Sequence, residues 1–148
     1  MTKIIEITNE AGDIIEGQWL AKAEFVHRQL RTLSFAPDYA GKMKRVFAGG
    51  GRMCVATRAM SVVGLAVYRV YENTFDGKLM YVDDLVTDDA ARSTGVGKAL
   101  MDHLQSLARN SGCDTYSLDS GVQRQRAHKF YFREGMFVTS FHFRKAVT

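Results

Sequence analysis

One short stretch holds much of the chemistry this chain can do. In Asp84-Leu85-Val86-Thr87-Asp88-Asp89-Ala90-Ala91-Arg92-Ser93-Thr94-Gly95-Val96-Gly97-Lys98, a β-like run passes into a loop, and a helical pattern opens at two glycines. The first turn of a helix carries N–H groups with no intrahelical partner, and its dipole favours negative charge there. Glycine lets an anion approach the backbone closely, and Arg92 and Lys98 add positive charge. A pyrophosphate is a ligand such a turn accepts. A glycine loop that opens a helix for packing alone would look the same, so the spacing leaves both readings open. Other phosphate loops fit less well. A Walker A loop needs Gly-x-x-x-x-Gly-Lys-Ser/Thr, whereas Ala99 follows Lys98 here. A dinucleotide GxGxxG would need glycine where Leu100 stands.

Three further groups of residues carry reactive side chains. Ala127 and Tyr131 are four apart and share a helix face, with Phe130 beside the tyrosine. Asp83 and Asp84 lie in a strand pattern, whose alternation sends at most one of them into any one cleft. Ser117, Asp119 and Ser120 follow a short strand and are either polar contacts for a ligand or turn formers. A serine-hydrolase elbow, Gly-x-Ser-x-Gly, is absent. His27, His103, His128 and His142 show no ligand spacing such as HExxH, so no metal is expected, and His103 reads as structural. Cys54 and Cys113 are far apart with no CxxC pairing, as expected of small buried hydrophobes.

The elements that must position these residues follow from periodicity. Lys3 to Thr8 reads as a strand. Trp19, Ala23, Val26, Leu30 and Leu33 mark one face of a helix, with Lys22, Arg28 and Arg31 on other faces, and Phe35-Ala36-Pro37-Asp38 ends it. Tyr39 to Phe47 is a short helix stopped by Gly49-Gly50-Gly51. Met53–Thr57, Val62–Tyr71 and Lys78–Val86 form an antiparallel meander, with a tight turn near Arg58-Ala59-Met60 and a hairpin signal at Asp76-Gly77. Val96, Leu100, Leu104 and Leu107 make a long helix that ends at Gly112. Thr115–Leu118 is a short strand, Gln125–Glu134 a helix closed by Gly135, and Phe137–Phe143 a final alternating strand. The order is β, α, α, β, β, β, α, β, α, β in a single domain, 1–148.

With these elements in place, Arg92-x-x-Gly95-x-Gly97 resembles the Arg/Gln-x-x-Gly-x-Gly/Ala signature of the GNAT superfamily of N-acetyltransferases, in its setting between the fourth strand and a long helix. Ala127-x-x-x-Tyr131-x-x-x-Gly135-Met136 resembles that family's Ala-x-x-x-Tyr-x-x-x-Gly-Phe, although Arg124 stands where many members carry asparagine. The resemblance implies a mixed, mostly antiparallel α/β (α+β) sheet of six or seven strands flanked by about four helices and splayed between strands 4 and 5. It implies acetyl-coenzyme A as co-substrate. Backbone amides of Arg92, Ser93, Thr94, Gly95, Val96, Gly97 and Lys98 would hold the pyrophosphate, Leu85 and Val86 would face the thioester, and Ala127 and Phe130 would flank the coenzyme. Tyr131 would protonate the thiolate, with Asp84 or Asp83 as the base and Asp83, Asp119, Ser120 and His128 on the acceptor side. A water-mediated proton path, with the aspartates as substrate anchors, stays open. The segment Val122–Lys145 is similar to aminoalkylphosphonate N-acetyltransferases, which implies a small amine bearing an anionic group.

Composition agrees without choosing. The chain has 148 residues, 46% of them apolar and 24% charged, with a formal charge of +4. That surplus suits a polyanion, either nucleic acid or a phosphate-rich cofactor. The basic residues form no long block, so no nucleic-acid partner is expected. No run reaches the roughly eighteen apolar residues of a membrane span, and Met1–Glu6 does not read as a secretory leader, so no membrane partner and a cytoplasmic location are expected. Family habit adds a homodimer paired through Phe137–Phe143. The expected function is acetyl transfer to a primary amine of a small metabolite. A protein or peptide acceptor and a non-catalytic acetyl-coenzyme A sensor are the alternatives.

Overall fold

The computed structural model describes residues 1–32 and 37–148. The expected helix position Leu33 and the Phe35-Ala36 part of the expected break lie outside the described residues. The chain forms two compact units, Met1–Ser117 and Leu118–Thr148.

In the first unit, β1 (Lys3–Glu6) leads to α1 (Gly17–Leu30) and α2 (Tyr39–Ala48). The meander follows as β2 (Arg52–Arg58), β3 (Ser61–Asn73) and β4 (Gly77–Thr87), then α3 (Val96–Asn110) and β5 (Thr115–Leu118). The sheet order is β1-β2-β3-β4-β5, antiparallel through β4. At the β5 edge, the Asp114 N–H donates to Lys78 O, where β4 begins. Five strands form rather than six or seven. The expected last strand, Phe137–Phe143, has no strand structure, and Phe137, Phe141 and Phe143 are exposed. The dimer pairing drawn through that segment therefore loses the strand it needs.

Local chemistry explains the elements that carry the site. Trp19, Leu20, Ala23, Val26 and His27 bury one face of α1, which packs on β3 and β4. Asp38 caps α2 by accepting from the Gly41 N–H at 2.9 Å. Tyr39, Met43 and Phe47, four residues apart, bury its inner face with Met53, Val55, Leu65 and Val67 of the sheet. Each such burial is worth about 2 kcal/mol. The β3–β4 hairpin turns where expected: Asn73 Oδ1 accepts from the Phe75 and Asp76 N–H groups, and Gly77 takes φ +76. On the opposite face α3 presses on the sheet at Gly64. A Cβ there would stand 2.6 Å from Val96 Cγ1 and 3.0 Å from Val86 O.

One irregularity changes the site. Val67 pairs with Asp84 but Tyr68 pairs with Val82, so Asp83 is an extra residue on β4, a β-bulge. The expected alternation of Asp83 and Asp84 therefore fails, and both carboxylates reach the face that α1 and α2 cover.

The second unit contains α4 (Gln125–Arg133). No residue of α4 is fully buried. Among the described residues, no helix is long and apolar enough to cross a membrane.

Candidate functional site

Beyond β4 the chain makes the loop that the glycine spacing suggests. Asp88 accepts from the Ala90 N–H, a single 3-10 turn spans Asp89–Ala91, and Ser93 and Gly95 take φ +62 and +92. The left-handed angle at Ser93 is unusual for a residue with a Cβ. Gly95 caps α3, whose first intrahelical bond runs from the Ala99 N–H to Gly95 O at 3.0 Å. The amides of Val96, Gly97 and Lys98 precede that bond and belong to the donor-rich first turn.

The loop is pinned from both sides by residues that its own sequence does not reveal. Arg58 Nη1 and Nη2 donate to Thr94 Oγ1 and O, each at 2.9 Å. Gln29 of α1 donates to Asp88 Oδ1 at 3.1 Å and accepts from the Asp89 N–H at 2.9 Å. Arg92 pairs with Asp89 at 2.6 Å and Lys98 with Asp102 at 3.4 Å. All four side chains are more than half exposed, so these pairs are weak and exchangeable. Just before the loop, Leu85 and Val86 are half-buried and pair with Ala66 and Leu65 of β3.

Upstream on β4, the bulge opens onto a cavity of about 230 Å³ between α1, α2 and the sheet. Its floor is an ordered set of charges. Arg31 Nε donates to Asp84 Oδ1 at 2.9 Å, and its Nη2 also reaches Asp83 O at 3.1 Å. Asp84 Oδ2 lies 2.7 Å from His27 Nε2, and His27 Nδ1 lies 2.8 Å from Tyr39 Oη. Arg69 Nε donates to Asp83 Oδ2 at 2.9 Å. Lys42 also lines the cavity and has no ion pair among the described residues.

The two carboxylates are tuned in opposite directions. Burial pushes Asp84 up, but the hydrogen bonds and charges of His27 and Arg31 outweigh it and hold the group below the ordinary carboxylate range. Burial also dominates at Asp83, where Arg69 only partly compensates, and the group ends above that range. Burial likewise pushes the Tyr39 phenol up.

His27 and Arg31 were missed as site residues in the sequence. Arg31 was placed on a face away from the apolar stripe, yet it caps α1 and reaches Asp84. A signal did exist for His27. It stands four residues after Ala23 and next to Val26, inside the buried stripe, and is 1% exposed.

In the second unit, Ala127, Phe130 and Tyr131 are half-buried on α4, with the Phe130 and Tyr131 rings 5.5 Å apart. Burial raises the Tyr131 phenol, and Arg124 opposes this. His128 Nε2 lies 2.8 Å from Gly121 O, where it clamps the loop before α4. Asp119 is exposed and 3.4 Å from His142, and Ser120 is half-buried.

Known proteins fit this architecture. The chain is 43% identical over 72 residues to the uncharacterized N-acetyltransferase YhdJ of Bacillus subtilis, covering 48% of this chain and 51% of that one. It is 32% identical over 66 residues to the aminoalkylphosphonate N-acetyltransferase of Salmonella typhimurium, covering 45% and 43%. The chain thus spans about half the length of the curated relatives it matches. The aminoglycoside N-acetyltransferase AAC(6')-Iy, solved in complex with coenzyme A, superposes with a TM-score of 0.81 at 17% identity, over 99% of this chain and 96% of that one. The profile of the Acetyltransferase (GNAT) family matches residues 14–136 and runs across both compact units. With the glycine turn, the carboxylate-bearing strand and the Ala127–Tyr131 helix all inside that match, the chain belongs to the GNAT acetyltransferase family.

Proposed function

We propose that the chain is an acetyl-coenzyme A-dependent N-acetyltransferase acting on the primary amine of a small molecule. The observation that carries this reading is β4 itself. The strand bears two half-buried carboxylates of opposite tuning and runs directly into a turn rich in main-chain donors. Family membership supports the same reading, and the match across residues 14–136 supports treating 1–148 as one catalytic domain.

In this mechanism the amides of residues 92–98 hold the diphosphate, with Ala127 and Phe130 along the coenzyme. The acceptor arrives as an ammonium. Asp84, kept ionised by Arg31 and His27, is a poor proton acceptor and serves as its electrostatic anchor. Asp83, held above the ordinary range, is better suited to take the proton. Of the two candidate bases, the role therefore falls to Asp83 in this proposal. The free amine attacks the thioester carbonyl, whose developing negative charge is met by main-chain donors at Leu85–Val86. The C–S bond breaks, the thiolate takes a proton from Tyr131, and the proton that the nitrogen sheds on becoming an amide leaves to solvent, as does the one held by Asp83. Burial keeps that phenol protonated at neutral pH, as a proton donor must be. Solvent reprotonates Tyr131.

The acceptor class follows from charge. Arg31, Lys42 and Arg69 outnumber Asp83 and Asp84 around the cavity, with Lys42 unpaired among the described residues. An amine that also carries a carboxylate, phosphate or phosphonate satisfies both halves of such a site, and the likeness to the Salmonella enzyme supports this choice. Asp119 and Ser120 are secondary acceptor contacts in this proposal, while His128 is committed to its loop.

An amine panel with acetyl-coenzyme A, read by thiol release, tests the proposal. Amines with an anionic group should react fastest. Tyr131→Phe should lower kcat by about 100-fold while coenzyme affinity stays. Thiol release from no amine, with coenzyme binding intact, would leave a sensor module. Reaction with peptides alone would make the acceptor a protein.

A further inference from the structure

A second convergence of reactive side chains lies on the opposite face of the sheet from the acceptor cavity. Glu6 pairs with Cys54, and Cys54 with Ala66, whereas Asp84 pairs with Val67. Adjacent residues of β3 point to opposite faces, so Glu6 and Cys54 share the α3 side. Tyr68, two residues along from Ala66, joins them and donates from Oη to Glu6 Oε1 at 2.6 Å. His103 reaches down from α3, with Nε2 2.6 Å from Glu6 Oε2. The Cys54 side chain is fully buried beside them, while Glu6 and His103 are each 30% exposed. One ligand atom from each of Glu6, Cys54 and His103 lies within 4.8 Å of the other two.

We propose that Glu6, Cys54 and His103 form a binding site for a divalent cation of the zinc class, with a fourth position open to solvent. A thiolate, an imidazole and a carboxylate are the mixed donor set that zinc accepts and that magnesium or calcium, which demand oxygen, do not. On binding, the Cys54 S–H bond breaks and its proton leaves to solvent as the S–metal bond forms. The proton between His103 Nε2 and Glu6 Oε2 leaves that position by exchange through solvent, so that His103 holds a proton on Nδ1 and offers its Nε2 lone pair, and Glu6 Oε2 exchanges its contact with His103 for the metal. Thiolate and carboxylate together neutralise the ion. Tyr68 holds Oε1 and so fixes the carboxylate as an outer-shell partner does. Such an ion would tie β1 and β2 to α3. The site is independent of acetyl transfer.

The test uses the full chain, stripped with chelator and titrated with Co²⁺ as the spectroscopic probe. One equivalent should bring up a thiolate-to-cobalt charge-transfer band that Zn²⁺ displaces. Cys54→Ser should abolish the band and Cys113→Ser should keep it. Tyr68→Phe should weaken affinity about 10-fold, and His103→Gln more. Absence of the band at saturating cobalt, or its survival in Cys54→Ser, overturns the proposal and leaves a hydrogen-bonded structural cluster. If Cys54→Ser does not fold, His103→Gln at its half-buried position decides, and unchanged cobalt affinity overturns the site.

Discussion

The turn at Arg92–Lys98 and the cavity over Asp83–Asp84 share one strand but are made of different material. The turn offers main-chain amides, and its charged side chains are solvent-facing, Arg92 pairing with Asp89 and Lys98 with Asp102, near neighbours in sequence. The cavity offers side chains, and two of its ion pairs, Arg31–Asp84 and His27–Asp84, join residues more than fifty positions apart. Main-chain donors do not titrate near neutral pH, and short of proline no substitution removes one; other changes can only displace it through backbone geometry. Paired side chains can be deleted and titrated one at a time. Substitutions in the two regions should therefore fail in different ways.

The largest effect is expected at Asp84. Asp84→Ala leaves Arg31 and the buried His27 without their shared acceptor. The cost should be about 2 kcal/mol of stability, moderated by Arg31 being 43% exposed. Misplacement of the acceptor should lower kcat about 100-fold. Chemical denaturation and steady-state kinetics measure both, with coenzyme A affinity unchanged by calorimetry. An equal loss of coenzyme affinity would break the separation between the two regions. Next in size is Gly95→Ala. A Cβ there meets no atom within 4 Å, so only the left-handed φ of +92 opposes it. Strain of about 1–2 kcal/mol should weaken coenzyme binding about 10-fold and leave the acceptor KM unchanged. A changed acceptor KM would show that the turn also shapes the cavity.

The smallest effect sharpens the contrast inside the cavity. Followed by carboxyl NMR, Asp83 should protonate at higher pH than Asp84 during acid titration. The sign for stability follows by linkage. Ionised Asp84 stabilises the fold fully above its unfolded value near 3.8, and that contribution is lost as pH falls through its lower folded value. Asp83 runs the other way, because its folded value is raised: it favours the fold when protonated and is a cost once ionised. A reversed order would exchange the two proposed roles.

These same materials decide what a sequence can reveal. A turn of consecutive residues is written consecutively, so Gly95-x-Gly97 after a strand could be located without coordinates, and so could Asp76-Gly77. His27 belongs to the site only because α1 crosses β4, which no local spacing encodes. The extra residue at Asp83 is announced by no glycine or proline, and ordinary strand alternation put the two aspartates on opposite faces. Phe137–Phe143 erred in the other direction. Its alternation has the right period, yet a strand also needs a neighbour to hydrogen-bond, and its phenylalanines stand exposed. Arg58 illustrates a further gap. It sits at the end of β2, and nothing near it in sequence signals that it grips Thr94.

The bulge at Asp83 also decides how freely this strand can be edited. With the extra residue, Val82 faces α3, Asp83 and Asp84 face α1, and Leu85 faces α3 again. Excising position 83 alone would leave Val82, Asp84 and Leu85 in unbroken alternation, with every apolar neighbour still on its present side. The second acid is thus one that the scaffold can accept or discard without being rewired, and a chain one residue shorter with a single aspartate would keep the same core.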